Sequence, residues 1–183
     1  MLLQEPQVRR WTKQEYHQAA ELGWFEGQRV ELIEGEVIEM APQKDAHAFA
    51  LRLAAGALQQ VFSKDFTFLI QMPLNLAPNS EPEPDIAVVK GSLREVREHP
   101  RSAELIVEIA DTSLLHDRRR KAQLYANAGI ADYWIVNVLE QVVEVYRLSD
   151  VQPLQYASPQ VFRGERIQPL AAASEVSVDD LLP

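Results

Sequence analysis

Two short runs, Asp85-Ile86-Ala87-Val88-Val89 and Leu105-Ile106-Val107-Glu108-Ile109-Ala110, constrain this chain more than any other feature. Both are nearly continuous in apolar character and rich in β-branched residues. A half-exposed strand alternates apolar and polar side chains, so runs of this kind suit central strands covered on both faces. The cover is supplied by helical periodicity elsewhere. Leu51, Ala54, Ala55, Leu58, Val61 and Phe62 recur at helical spacing after Asp45, a candidate N-cap. A second helix is predicted from about Leu115 to Ala128, with Gly129 as its C′ residue. From Asp45 onward the order is helix, three strands, helix, strand, strand. A helix between two strands implies a crossover, so the expected class is α/β with a mixed sheet flanked by helices.

The remaining elements follow from local signals. Thr12-Lys13-Gln14-Glu15 has capping-box spacing and predicts a short helix ending near Gly23. Val30–Ile33 and Glu36–Met40 around Glu34-Gly35 read as a β-hairpin. Phe66 to Leu76 alternates, with Phe66, Phe68, Ile70 and Met72 on one side. Asn79–Pro84 is a loop of turn formers. Tyr133–Val136 and Val142–Tyr146 are strands joined by a polar turn, Asp132 begins a strand near the helix end and is read as a turn residue, and Val178–Leu182 as a short closing helix. Without repeats, low-complexity stretches or linkers, residues 1–183 read as a single domain, a length that allows a full core.

Composition narrows the chemistry. The chain has no cysteine, which excludes a disulfide scaffold, a zinc-thiolate site and a thiol nucleophile, and suits a reducing, cytoplasmic compartment. Met1-Leu2-Leu3-Gln4-Glu5-Pro6 has neither a basic n-region nor a long apolar stretch, so no signal peptide is expected. No apolar run approaches the roughly 18 residues needed to span a bilayer. The formal net charge is −9, and Arg118-Arg119-Arg120-Lys121 is the only dense basic run. Binding to DNA is therefore expected to be weak. Arg118 is the candidate phosphate contact in that run, against the reading of a solvated helix face.

Asp85 and Glu108 are the candidate chemical residues. Glu108 lies between Val107 and Ile109, so its surroundings are expected to be buried. A carboxylate there needs a cation, a hydrogen-bond network or a proton, unless it reaches water at the sheet end. Lys121 shares a helix face with Leu124, Tyr125 and Ala128. Alone it would read as a snorkelling lysine or an i, i+4 partner of Asp117. Beside two carboxylates it fits metal-assisted phosphodiester hydrolysis, in which acids hold Mg²⁺ and an ammonium orients water or stabilises developing charge.

These residues resemble the PD-(D/E)XK nuclease signature: Pro84-Asp85, then Glu108-Ile109-Ala110. More closely, Val30-Glu31-Leu32-Ile33-Glu34-Gly35-Glu36, Glu83-Pro84-Asp85, Arg120-Lys121-Ala122-Gln123-Leu124-Tyr125-Ala126-Asn127-Ala128-Gly129 and Tyr133-Trp134-Ile135-Val136 look like the Uma family of predicted bacterial restriction endonucleases, over about residues 12 to 182. The resemblance implies a restriction-endonuclease-like fold, Mg²⁺ (or Mn²⁺) bound by Asp85 and Glu108, and DNA as substrate. It implies that Lys121 takes the role of the lysine usually found two residues after the glutamate, where this chain has Ala110. Lys121 also falls at the glutamine of a Q-x-x-x-Y helix motif, with Tyr125 as its tyrosine. Glu31 and His47 are implied as site-lining residues, although His47 reads equally as a core-edge histidine. The chain departs from the family at Asp111-Thr112-Ser113, commonly Ser-Pro-Ser, and at Asn137, often Asp. The resulting expectation is a metal-dependent endonuclease; a catalytically degenerate interaction module is the alternative. Paired subunits in related nucleases, together with the Trp, Tyr and Val residues after Gly129, predict a homodimer.

Overall fold

The structure, a computed structural model, describes residues 7–183. The Met1–Pro6 segment, on which the signal-peptide expectation rests, lies outside the described residues. Nine-residue helix α1 (Lys13–Glu21) begins with the expected capping box, Thr12 and Glu15 each accepting from the other's backbone N–H. The hairpin follows as β1 (Val30–Ile33) and β2 (Glu36–Glu39). Its two turn residues, Glu34 (φ 50) and Gly35 (φ 76), are left-handed, as a tight hairpin twist requires. At Gly35 a Cβ would lie 2.5 Å from the Arg10 Cβ, so only glycine fits there.

Helix α2 (Asp45–Val61) precedes the main sheet. Asp45 is its first residue rather than its cap; Lys44 occupies the cap position without a side-chain bond. The acid still faces the positive end of the helix dipole. Strands β3 (Phe66–Ile70), β4 (Ile86–Lys90), β5 (Leu105–Ala110), β6 (Asp132–Asn137), β7 (Val142–Arg147) and β8 (Gln160–Phe162) form a six-stranded sheet in that order. Every neighbouring pair is antiparallel except β5–β6. That parallel pair is the one joined by the predicted crossover helix. Strand β3 is shorter than the alternation to Leu76 suggested. Gln71 takes a left-handed conformation (φ 51) and ends it, leaving Met72 exposed.

The sheet is covered on both faces. Ile86, Val88, Leu105, Val107, Ile109, Trp134 and Val136 pack under α2 and the C-terminal segment. Ala87, Val89, Ile106, Ala110, Tyr133 and Ile135 pack under the crossover. The crossover is not one continuous α-helix. It runs as α3 (Leu114–His116), a π-helical turn at Asp117–Lys121, and α4 (Ala122–Asn127), with Gly129 (φ 75) after the end. Three anchors hold the wide turn. The Tyr133 hydroxyl donates to the Asp117 carbonyl at 3.1 Å, Arg118 reaches Glu144, and Arg120 donates to the Ile33 carbonyl at 3.1 Å.

Asp132 is no turn residue: it is fully buried at the start of β6, accepting from the Trp134 indole at 2.7 Å and the Leu170 N–H at 2.8 Å. Trp134, Tyr133 and Tyr146 are likewise buried within one chain. They therefore offer no surface for the expected homodimer. The chain ends in β9 (Arg166–Ile167), β10 (Val176–Ser177) and a 3₁₀ helix at Val178–Asp180, a shorter closing helix than expected. Among the described residues no helix is long and apolar enough to cross a membrane.

Candidate active site

Sheet register brings the two motif acids together. Ile86 pairs with Val107, so one step further sets Asp85 opposite Glu108 where β4 begins and β5 ends. The contacts agree: the Asp85 N–H lies 3.4 Å from Glu108 Oε2, and the Ile109 N–H donates to Asp85 Oδ2 at 2.8 Å. The carboxylates are 7% and 3% exposed and line one cavity.

The other predicted residues converge unevenly. Lys121 is buried, with Nζ 3.0 Å from Glu108 Oε1 and 3.5 Å from Glu31 Oε2. It forms no ion pair with Asp117 at i−4; the strand carboxylates hold it instead. Glu31 is buried in β1 and also accepts from the Glu83 N–H at 3.1 Å. His47, in the first turn of α2, lines the same cavity, its Nε2 3.1 Å from Asp85 Oδ1. Tyr125 donates to Glu108 Oε1 at 2.7 Å and is fully buried. It sits behind Glu108 and does not line the cavity. Arg118 is not brought to the cavity. Its guanidinium is spent on Glu144, at 2.7 and 3.0 Å.

Three groups escaped the sequence reading. Gln71 donates to Asp85 Oδ1 at 2.9 Å, a contact made possible by a backbone turn that no sequence pattern marks. Asp117 is buried on the cavity wall and accepts from the Ser113 hydroxyl at 2.6 Å. Its position four residues before Lys121 was the available signal. His116 also lines the cavity, and its Nε2 is buried without a hydrogen-bond partner, 3.9 Å from Glu31 Oε1.

The charges do not balance. Burial would lower the Lys121 pKa, but Glu108, Glu31, Asp117 and Asp85 outweigh it and hold the ammonium charged. Burial pushes Glu108 up; Lys121 opposes this, while Asp117, Asp85 and Glu31 add to it. Asp117 is raised for the same leading reason, burial. Burial would raise Asp85 too, but His47, the Ile109 N–H and Gln71 hold it below its ordinary value. His47 is raised: its burial is outweighed by the bond to Asp85 and by the charges of Asp85 and Asp111. Four carboxylates thus surround one ammonium, and Glu108 is under-compensated.

Carboxylate oxygens crowded together and pushed towards protonation fit a hard divalent cation such as Mg²⁺ or Mn²⁺, which would replace the proton. Among the described residues no three His, Asp or Glu side chains already stand as a closed ligand group. Mg²⁺ does not need one, since it keeps several waters and takes one or two carboxylates.

No curated protein matches the chain. Its fold is similar to the crystal structure of a "putative nuclease belonging to DUF820" from Anabaena variabilis, with a TM-score of 0.65 and 18% identity over 93% of this chain and 96% of that one. A family model described as "Putative restriction endonuclease" matches residues 13–179, nearly the whole length. The chain therefore belongs to that family, Uma2, as the Asp85, Glu108 and Lys121 motifs led us to expect.

Proposed function

We propose that residues 1–183 form a single metal-dependent nuclease domain that hydrolyses phosphodiester bonds in DNA. The observation that carries this reading is the buried Lys121 side chain, its Nζ 3.0 Å from Glu108 on a cavity shared with Asp85. Asp85 and Glu108 would hold Mg²⁺ or Mn²⁺. When bound, such an ion polarises a phosphate and makes water more acidic. Lys121 orients the attacking water or stabilises charge developing on the phosphate. Glu31 keeps Lys121 in place from the other side, and Tyr125 and Gln71 fix the two carboxylates. His47 stands beside Asp85, within reach of a proton at the cavity mouth.

A second reading, an interaction module that has lost cleavage, is favoured by the net charge of −9 and by Ala110 at the usual lysine position. Calorimetric titration of Mn²⁺ into wild type and Asp85→Ala separates the two. Binding that vanishes with Asp85, together with Mn²⁺-dependent cleavage of circular DNA, supports the nuclease. A chain that binds no metal would sink it. The proposal extends to a cytoplasmic homodimer, which would have to pair through a surface other than Tyr133, Trp134 and Tyr146, and light scattering showing only monomer at micromolar concentration would contradict the dimer.

A further inference from the structure

The six-stranded sheet has two edges, and they are not alike. Strand β8 has three residues, with Arg163 directly after it. Short edges flanked by charge discourage one sheet from pairing with another. Strand β3 has five residues, Phe66-Thr67-Phe68-Leu69-Ile70, without a charge, a proline or a bulge. Its register with β4 fixes which backbone groups face outward. The Asp65 carbonyl accepts from the Gly91 N–H, and the Gln71 N–H donates to the Asp85 carbonyl, so the odd-numbered residues are the ones bonded to β4. Phe66, Phe68 and Ile70 therefore direct their N–H and C=O groups away from the sheet. The Phe66 N–H is taken by the Ser63 carbonyl. Among the described residues no hydrogen bond reaches the N–H of Phe68 or Ile70, or the C=O of Phe66, Phe68 or Ile70. The three side chains form one row on the α2 face, where Phe62 packs on Phe66 and Phe68 with ring centroids 5.2 and 5.7 Å away. The row is left open at one end: Ile70 is 37% exposed, and Met72 just beyond it 45%.

We infer that the β3 edge is the homodimer interface, and that a second copy of this chain adds its own β3 antiparallel to it, about a two-fold axis at Phe68. The two six-stranded sheets then become one continuous sheet. The inference rests on the homodimer part of the proposed function and is independent of the nuclease part. The free backbone groups are self-complementary. Phe68 meets Phe68 of the second copy, and the two exchange both N–H···O=C bonds. Each Ile70 N–H meets a Phe66 carbonyl. Every free donor of the edge thus has a free acceptor opposite it, in a register that needs no strand from outside this chain. Only the Ile70 carbonyl gains no partner, because the Phe66 N–H opposite it is held by Ser63. Directly opposite residues point to the same face, so the Phe66, Phe68 and Ile70 rows of the two copies lie side by side. Aromatic and β-branched cross-strand pairs of this kind stabilise a sheet. Charge selects the same surface. Copies carrying −9 each repel, and an uncharged strand lets them meet. In this register Lys64 lies opposite Met72 and Asp65 opposite Gln71, so no acid faces an acid. The interface also adjoins the candidate site, since Gln71, which ends β3 and donates to Asp85, is the next residue beyond the pairing strand.

The test uses the full chain without metal or DNA, so that association is read apart from cleavage. Sedimentation velocity over a micromolar concentration series compares wild type with Ile70→Lys, which puts a charge on the exposed end of the edge. Wild type should sediment as a dimer, and Ile70→Lys should weaken the dimer at least about tenfold, since the symmetry loses each cross-strand pair twice. Cysteine variants then read the register. The chain has no cysteine, so the thiol of Phe68→Cys can pair only with another copy. Opposite residues of a hydrogen-bonded pair lie about 5.5 Å apart between Cα atoms, within disulfide reach, so mild oxidation should link most chains. Ile70→Cys should stay unlinked, because the matching residue of the second copy lies four residues, about 14 Å, along the strand. Thermal melts check each variant; Phe68 packs on Phe62, so Ile70→Lys carries the test should Phe68→Cys fail to fold. A wild type that stays monomeric overturns both the inference and the homodimer. A dimer that Ile70→Lys leaves intact, or in which Ile70→Cys links as readily as Phe68→Cys, overturns the inference alone and puts the dimer on another surface. A dimer that responds as described supports the inference whether or not the protein cleaves DNA.

Discussion

Glu108 and Glu144 occupy one row of the same sheet: Glu108 pairs with Ile135, and Ile135 with Glu144. Both are buried acids inside central strands, and both meet a cation from the same π-helical turn. Glu144 receives the Arg118 guanidinium through two nitrogens, the Tyr146 hydroxyl at 2.9 Å and the Asn137 amide at 3.4 Å. Burial would raise its pKa, but these donors hold it below its ordinary value. Glu108 has Lys121 and Tyr125, but it also faces Asp117, Asp85 and Glu31 across a cavity, and its pKa is raised. A buried acid in a strand is therefore not the mark of a site. The mark is a shortage of positive charge beside open space. Glu144 is compensated by its neighbours, and Glu108 is not.

Removing the acids should separate the two environments most sharply. Asp85→Ala or Glu108→Ala should reduce Mn²⁺-dependent cleavage by at least about 1,000-fold, since each removes a proposed metal ligand as well as a positioned charge. Circular dichroism melts should show the fold retained. Cleavage by either variant within a few-fold of wild type would erase the distinction drawn here. Lys121→Ala follows, with a loss of about 100-fold or more in the same gel assay. Lys121→Arg should restore little, because a planar guanidinium does not replace a compact ammonium.

That much of the site was legible because its residues sit at register positions that periodicity reveals. Asp85 and Glu108 stand out as acids in apolar runs, and Lys121 stands out by its spacing to Leu124 and Tyr125. The fold was legible for the same reason, down to the β5–β6 crossover. What stayed hidden depends on backbone irregularity. The left-handed Gln71 both ends β3 early and turns an amide onto Asp85. The π-helical turn lets Arg118 reach β7 while Asp117 and Lys121 line the cavity. Arg118 was read as a phosphate contact because its partner, Glu144, lies 26 residues away in sequence.

Glu144→Gln tests the other half of the comparison. It leaves Arg118 facing a neutral amide while the site keeps every residue of its own. Stability should fall by about 1–3 kcal/mol, below the range for breaking a fully buried pair because Arg118 is 35% exposed. Urea unfolding would measure it. Cleavage per folded molecule should stay within a few-fold of wild type, since Arg118 does not line the cavity. A loss of cleavage as large as that of Lys121→Ala would mean that the Arg118 anchor positions Lys121 and that the two acids are not independent.

The smallest effect is on the pH dependence of stability in EDTA. The Glu108 pKa is raised in the folded chain, so folding favours its protonated form. Its contribution is fully present below the ordinary glutamate range and is lost as pH rises through the elevated folded value. Glu144 runs the other way. Its pKa is depressed, so its contribution is present above the ordinary range and is lost only as pH falls into acid. Of these two acids only Glu108 should titrate between mildly acidic and mildly alkaline pH, and the metal-free melting temperature should drop by a few degrees. Glu108→Gln, which carries no charge to expel, should flatten that slope, and Glu144→Gln should leave it unchanged. Mg²⁺ should restore more stability on the alkaline side, because it binds the ionised carboxylate and displaces the proton. A slope that survives Glu108→Gln would assign the titration to another group, such as Asp117, which is also raised by burial.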